Sequence, residues 1–219
     1  MTDTPTNPTL RRIRLGIWLL AALAALGLGF LLLRPATPET SRTEFRPAEP
    51  GLPGFTLGAP FTLVGSDGKP FSSASLAGKP YAMFFGFTHC PDVCPTTLAR
   101  LARLRKQLGE KGSGGGEAFE ILFVSVDPER DTPKLVGDYA RLFNTPIIGL
   151  TGTRKQVDAV AKSHAIYQAR VPDKGAPDGY TVDHGAAVLL FGRDGKFVST
   201  IALEEGDAPA LDKLRRIAA

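Results

Sequence analysis

The 219-residue sequence predicts an α/β domain, a mixed central sheet flanked by helices, preceded by one N-terminal transmembrane helix. Three observations lead there. An uncharged apolar run occupies Leu15–Leu33. Two short, nearly continuous apolar runs, Tyr81–Phe87 (YAMFFGF) and Phe119–Val126 (FEILFVSV), have the length and character of strands covered on both faces. Segments with apolar residues at helical spacing alternate with them, as in βαβ units, which makes the first half of the sheet parallel.

Nineteen residues from Leu15 to Leu33 span roughly 28 Å as a helix, close to the hydrocarbon thickness of a bilayer. Arg11, Arg12 and Arg14 precede the run, and Trp18 sits near that end, where an interfacial aromatic belongs. The run is longer than the apolar region of a cleaved signal peptide, and Arg34-Pro35 follows it directly. No cysteine near its end suggests a lipoprotein signal. The expectation is an uncleaved single-pass anchor at 15–33 with a short cytoplasmic tail, 1–14. The arginine cluster then places the rest outside, and a bacterial inner membrane with the domain on its periplasmic side is the simplest setting. Residues 34–54, rich in Pro, Glu, Thr and Arg, read as a linker.

The domain then runs over 55–219. Phe55–Val64 and Lys69–Ser72 flank Gly65-Ser66-Asp67-Gly68, a turn between two short strands. After the Tyr81 strand, Leu98, Leu101, Leu104 and Leu108 define the buried face of a helix, with Arg100, Arg103 and Lys106 opposite and Pro95 suited to its first turn. The glycine-rich Lys111–Glu117 ends that helix. It lacks the Lys-Ser/Thr of a phosphate loop, and reads as a turn. The Phe119 strand follows. Thr132-Pro133 opens a second helix, Ile147–Leu150 is a brief strand, and Arg154–Ala165 is a third helix. A loop of Pro172, Gly175, Pro177 and Gly179 follows, and then Tyr180–Gly185 (YTVDHG), a polar break before the next strand. Ala187–Phe191 and Lys196–Ile201 pair across Gly192-Arg193-Asp194-Gly195, and a last helix covers about 208–217. This element order is the thioredoxin-like one.

The formal net charge is +4, with both signs interleaved and no basic stripe carrying aromatics, so nucleic acid is not expected as a partner. Only two cysteines are present, in Cys90-Pro-Asp-Val-Cys94-Pro, too few and too close for a structural disulfide framework. They read as one site, either a redox pair or two metal ligands. Both uses exploit a helix N-terminus, which stabilises thiolate. Three intervening residues allow the sulfurs to converge, and spacing alone does not choose between a disulfide and metal bonds.

Three histidines are candidates for a third ligand. His89, next to Cys90, should point to the opposite face of the strand and serve packing or hydrogen bonding. His164 should be a satisfied, half-buried histidine near a helix end. His184, in a polar break before the Ala187 strand, reads either as a surface-loop residue or as a site residue. Asp183 beside it either orients the imidazole or faces water. Asp127 and Asp131 read as caps of the following helix in preference to site residues.

Three segments, GFTHCPDVCP (86–95), SVDPERDTP (125–133) and YTVDH (180–184), together resemble the SCO/SenC family of copper-binding assembly proteins. The likeness covers roughly 55–219, and three motifs in order within one fold pattern are far more specific than a lone CxxxC. The resemblance implies that Cys90, Cys94 and His184 are copper ligands. It also implies an N-terminal anchor and a role in maturing the binuclear copper centre of cytochrome c oxidase, by delivering copper, by reducing that centre's cysteines, or both. Partners would be the copper-bearing oxidase subunit or another copper chaperone. The sequence departs from the family after His184, where Gly185 and apolar Ala187–Leu190 replace a commoner Ser and Tyr. The donor chemistry agrees: two thiolates and an imidazole make a soft set suited to Cu(I) and tolerable for Cu(II). A membrane-anchored thiol–disulfide oxidoreductase, with Cys90 and Cys94 as its redox-active pair, is the alternative. A tethered copper or redox sensor is a third reading.

Overall fold

The computed structural model describes residues 57–111, 118–176 and 178–219, together with Ile17, Trp18 and Leu23. The chain divides into two units, Met1–Glu49 and Pro50–Ala219. In the first, Ile17, Trp18 and Leu23 are helical with exposed side chains. Among the described residues no helix is long and apolar enough to cross a membrane. The expected span 15–33 otherwise lies outside the described residues, as do the linker and most of the glycine run.

The second unit is built on a seven-stranded sheet. Its strands are β1 (Thr62–Gly65), β2 (Pro70–Ser72), β3 (Tyr81–Gly86), β4 (Glu120–Ser125), β5 (Ile148–Thr151), β8 (Val188–Phe191) and β9 (Phe197–Ile201), in the spatial order β2-β1-β5-β4-β3-β8-β9. β3, β4 and β5 are parallel, whereas β1 joins β5 and β8 joins β3 antiparallel. The expected mixed sheet, parallel in its first half, is therefore present. Helices α1 (Val93–Lys111), α2 (Pro133–Arg141), α3 (Arg154–Ser163) and α4 (Asp207–Ala218) complete the domain. β3 and β4 sit at the centre because both of their faces are apolar. Met83 and Phe85 enter a core with α3, while Ala82 and Phe84 enter a second core with α1, α2 and α4. Leu98, Leu101, Leu104 and Leu108 are all buried on α1, as their spacing predicts.

Local sequence explains the helix boundaries. Thr132 caps α2 by accepting from the Leu135 N–H, with Pro133 in the first turn. Thr153 and Gln156 form a capping box at the start of α3.

Two expectations fail here. Tyr180–His184, expected as a polar break, is strand β7, paired antiparallel with β6 (Gln168–Pro172) in a separate ribbon whose connection falls within the expected loop. Gly175 and Gly179 mark only its turn, and the β-branched or aromatic run Tyr180-Thr181-Val182 was the strand signal beside them. Second, His164 is fully buried, not half-buried. Its ring lies among Phe61, Phe85 and Phe191, and its Nδ1 lies 2.8 Å from the Val160 carbonyl, while Nε2 has no partner. Burial lowers the imidazole's pKa below 6.5, so the folded domain holds it neutral. The unfolded chain takes up that proton first as pH falls, so this contribution to stability is complete above about pH 6.5 and is lost below it. Thermal unfolding of His164→Leu should show a shallower acid-side decline than wild type, and parallel pH curves would refute the assignment.

Candidate metal centre

Cys90 lies in the turn after β3, and Cys94 in the first turn of α1. The fold thus carries one sulfur before the helix and one within its first turn, where unpaired N–H groups and the helix dipole favour negative charge. The Cys90 sulfur accepts from the Cys94 backbone N–H at 3.4 Å. Cys94 is fully buried, whereas Cys90 is partly exposed and packs against both cores. Gly86 makes room for the buried sulfur: a Cβ there would lie 2.7 Å from Cys94 Sγ.

His184 ends β7, and its Nε2 sits 3.7 Å from Cys94 Sγ. Its Nδ1 lies 3.1 Å from the Gly185 carbonyl, which can only accept. Nδ1 therefore carries the proton of the neutral ring, and the Nε2 lone pair faces the sulfurs. Phe84 and Phe87 present their rings at steep angles to the imidazole, with centroids 6.2 and 5.9 Å away. Asp183, expected either to orient the ring or to face water, is exposed, and the ring's hydrogen bond goes to Gly185.

The ligand atoms of Cys90, Cys94 and His184 all lie within 4.8 Å of one another, the single such group of three metal-donating side chains among the described residues. Bonds of about 2.0–2.3 Å to one ion would set donors roughly 4 Å apart, so the spacing fits a three-coordinate site. Two sulfurs and one imidazole are a soft donor set suited to copper. The other histidines stay outside. His89 is exposed beside Thr88 and Asp131, and His164 is in the core.

The two thiols are unlike. Hydrogen bonding from the Cys94 side chain pulls Cys90 down to about 4; burial opposes this, and the backbone N–H groups of Asp92 and Cys94 add to it. Cys94 is pushed far up, because its proton bridges to Cys90, its sulfur is buried, and the Cys90 charge disfavours a second anion. The pairing thus favours thiolate on the more exposed Cys90 and thiol on the buried Cys94.

The expected capping role of Asp127 and Asp131 is wrong, since Thr132 caps α2. Asp131 is buried and accepts from the Thr88 N–H (3.0 Å), Thr88 Oγ1 (2.6 Å) and Ser125 Oγ (2.6 Å), tying the cysteine turn to the end of β4. Asp127, also buried, pairs with Arg130 and accepts from Tyr180 Oη at 3.0 Å. The signal for this was SVDPERDTP itself, in which three acids and an arginine follow a buried strand.

Fold and site together define a thioredoxin-like domain with a Cys-Cys-His candidate metal site. The chain belongs to the SCO1/SenC family, whose model matches residues 50–219. It is 38% identical over 159 residues to the mitochondrial protein SCO2 of Saccharomyces cerevisiae, a match covering 73% of this chain and 52% of that protein. The chain spans about half the length of several curated relatives it matches. Among solved structures, Bradyrhizobium japonicum ScoI with copper bound superposes with a TM-score of 0.64 at 39% identity, covering 74% of this chain and 99% of that one. BsSco, described as having a disulfide switch and as a member of the Sco family of cytochrome c oxidase assembly proteins, superposes with a TM-score of 0.58 at 28% identity, covering 76% and 96%.

Proposed function

We propose that this chain is a copper metallochaperone that takes one copper ion through Cys90, Cys94 and His184 and assists maturation of the binuclear copper centre of cytochrome c oxidase. The convergence of His184 Nε2 on the two sulfurs, from 90 residues away in sequence, is the observation that carries the reading. Copper in ScoI and oxidase assembly for the Sco family point the same way. Partners are then the copper-bearing oxidase subunit or another copper chaperone. We place the domain on the periplasmic side of a bacterial inner membrane, held by a single anchor at 15–33. Apolar, exposed, helical Ile17, Trp18 and Leu23 support the anchor.

Three donors leave a copper ion open to attack by an incoming ligand, which suits transfer better than storage. Oxidation to a Cys90–Cys94 disulfide would remove both thiolates, so metal loading would follow redox state. In the test, the reduced protein binds one Cu(I) per chain, and His184→Ala weakens binding by roughly 10-fold or more. Unchanged affinity in that variant would refute the copper reading.

A second reading rests on the inequality of the thiols. Partly exposed, thiolate Cys90 can attack a partner disulfide, forming a mixed disulfide and releasing one partner thiolate. Cys94 then attacks Cys90, and its proton leaves with the partner's second sulfur, which departs as a thiol. The partner gains two electrons, and the chain ends as the Cys90–Cys94 disulfide. In this reading His184 is dispensable, and the same variant separates the two.

A further inference from the structure

The two sulfurs and the imidazole sit on different pieces of the fold. The cysteines follow β3 of the main sheet, whereas His184 ends β7 of the separate two-stranded ribbon. Something must fix the distance between them. Val182 anchors the ribbon in the core, but an apolar contact is not directional.

At the other end of β7, Tyr180 lies on the same face of the strand as His184. Its ring is held between two guanidiniums, with Arg130 at 3.9 Å from its centroid and Arg170 at 4.0 Å. Its hydroxyl donates to Asp127, which also pairs with Arg130. Arg130 donates in turn to the Tyr180 carbonyl at 3.3 Å. The same guanidinium lies 5.7 Å from the ring centroid of Phe87, the residue that leads from β3 into the cysteine turn. Phe87 meets the His184 ring at 88°, and its carbonyl accepts from the Cys90 N–H at 3.2 Å. Arg130 therefore touches both halves of the site. Its neighbour Asp131 holds Thr88.

We infer that Tyr180 and Arg130 are positioning residues, a latch that fixes the His184 ribbon against the cysteine turn and so sets the geometry of the three donors. Neither touches the ion; both act through His184. The inference rests on the copper reading above. A planar guanidinium stacked on a ring fixes a direction as well as a distance, which a lysine ammonium in the same place would not.

A substitution cycle on the full-length, reduced chain in detergent tests this. Cu(I) affinity is measured by competition with bicinchoninate, and ribbon order by amide hydrogen exchange of the metal-free protein. Tyr180→Leu and Arg130→Gln each weaken Cu(I) binding roughly 10-fold or more and speed exchange in β7. Combined with His184→Ala, the same substitutions add less than about a twofold further loss, because the ligand they position is already gone. Tyr180→Phe, which keeps both cation contacts, stays near wild type. Losses of equal size in both backgrounds overturn the latch, as does unchanged β7 exchange. Should Arg130→Gln fail to fold, Arg130→Lys gives the same comparison, retaining charge without the flat stacking face. If His184→Ala itself leaves Cu(I) binding intact, the copper reading falls, and exchange in the metal-free ribbon still decides whether the latch exists.

Discussion

Asp131→Ala should lower the Tm of the domain by on the order of 10 °C. The wild-type carboxylate is completely buried and receives the Thr88 N–H, the Thr88 hydroxyl and the Ser125 hydroxyl. Removing it strands those donors away from water. Each buried orphan costs about 1–3 kcal/mol, and hydroxyl rotation recovers part of that, leaving a net loss of about 3–5 kcal/mol. Asp131→Asn, which keeps the shape but brings an N–H toward donors, should fall between the two. Copper affinity should drop as well, since Thr88 lies two residues before Cys90. Calorimetry on the metal-free protein isolates the structural part; a Tm within about 2 °C of wild type would mean the network is dispensable.

Gly86→Ala should damage the site out of proportion to its effect on folding. The added methyl would sit 2.7 Å from Cys94 Sγ, 3.0 Å from the Phe123 ring and 3.1 Å from the Phe84 ring, all in a buried strand. Overpacking of this kind costs about 1–3 kcal/mol, and the buried sulfur must give way along with the rings. Gly149→Ala is the matched control. Its methyl would meet Val136 Cγ1 at 2.8 Å, in β5, with no cysteine among the atoms it approaches. Both variants should lose similar stability, but only Gly86→Ala should lose Cu(I) affinity and alter the rate at which the cysteines are alkylated. Equal affinities in the two would show that the sulfur tolerates displacement.

The central strands, the helices and the closing hairpin were legible because each announces itself locally. YAMFFGF and FEILFVSV are strands by apolar content alone, and the leucines of α1 mark its buried face by spacing. The β6–β7 ribbon was not legible, because its turn residues outweigh a short strand signal and its partner is only itself. Cys90 and Cys94 stood out by scarcity. His184 did not: residue by residue it could equally have been a surface histidine, and only the fold brings it 3.7 Å from a thiol. Asp131 and Asp127 were misread because an acid before a helix usually caps it, and which neighbouring side chain wins that place depends on three-dimensional detail. His164 was misjudged in degree, since spacing indicates a face but not how deeply it is covered.

The ribbon forms a sheet of its own, so no backbone ladder joins the strand ending at His184 to the strand leading to Cys90. Beyond the three residues that carry the chain from His184 into β8, beside β3, only side-chain contacts close the gap between them. Swinging the imidazole away would then break ring stacking and a few polar contacts, and leave every rung of the seven-stranded sheet in place. A cation gripped by three donors could in this way be reduced to two without the scaffold yielding at all. Under the proposed function, release of the ion would then ask movement only of the ribbon side of the site.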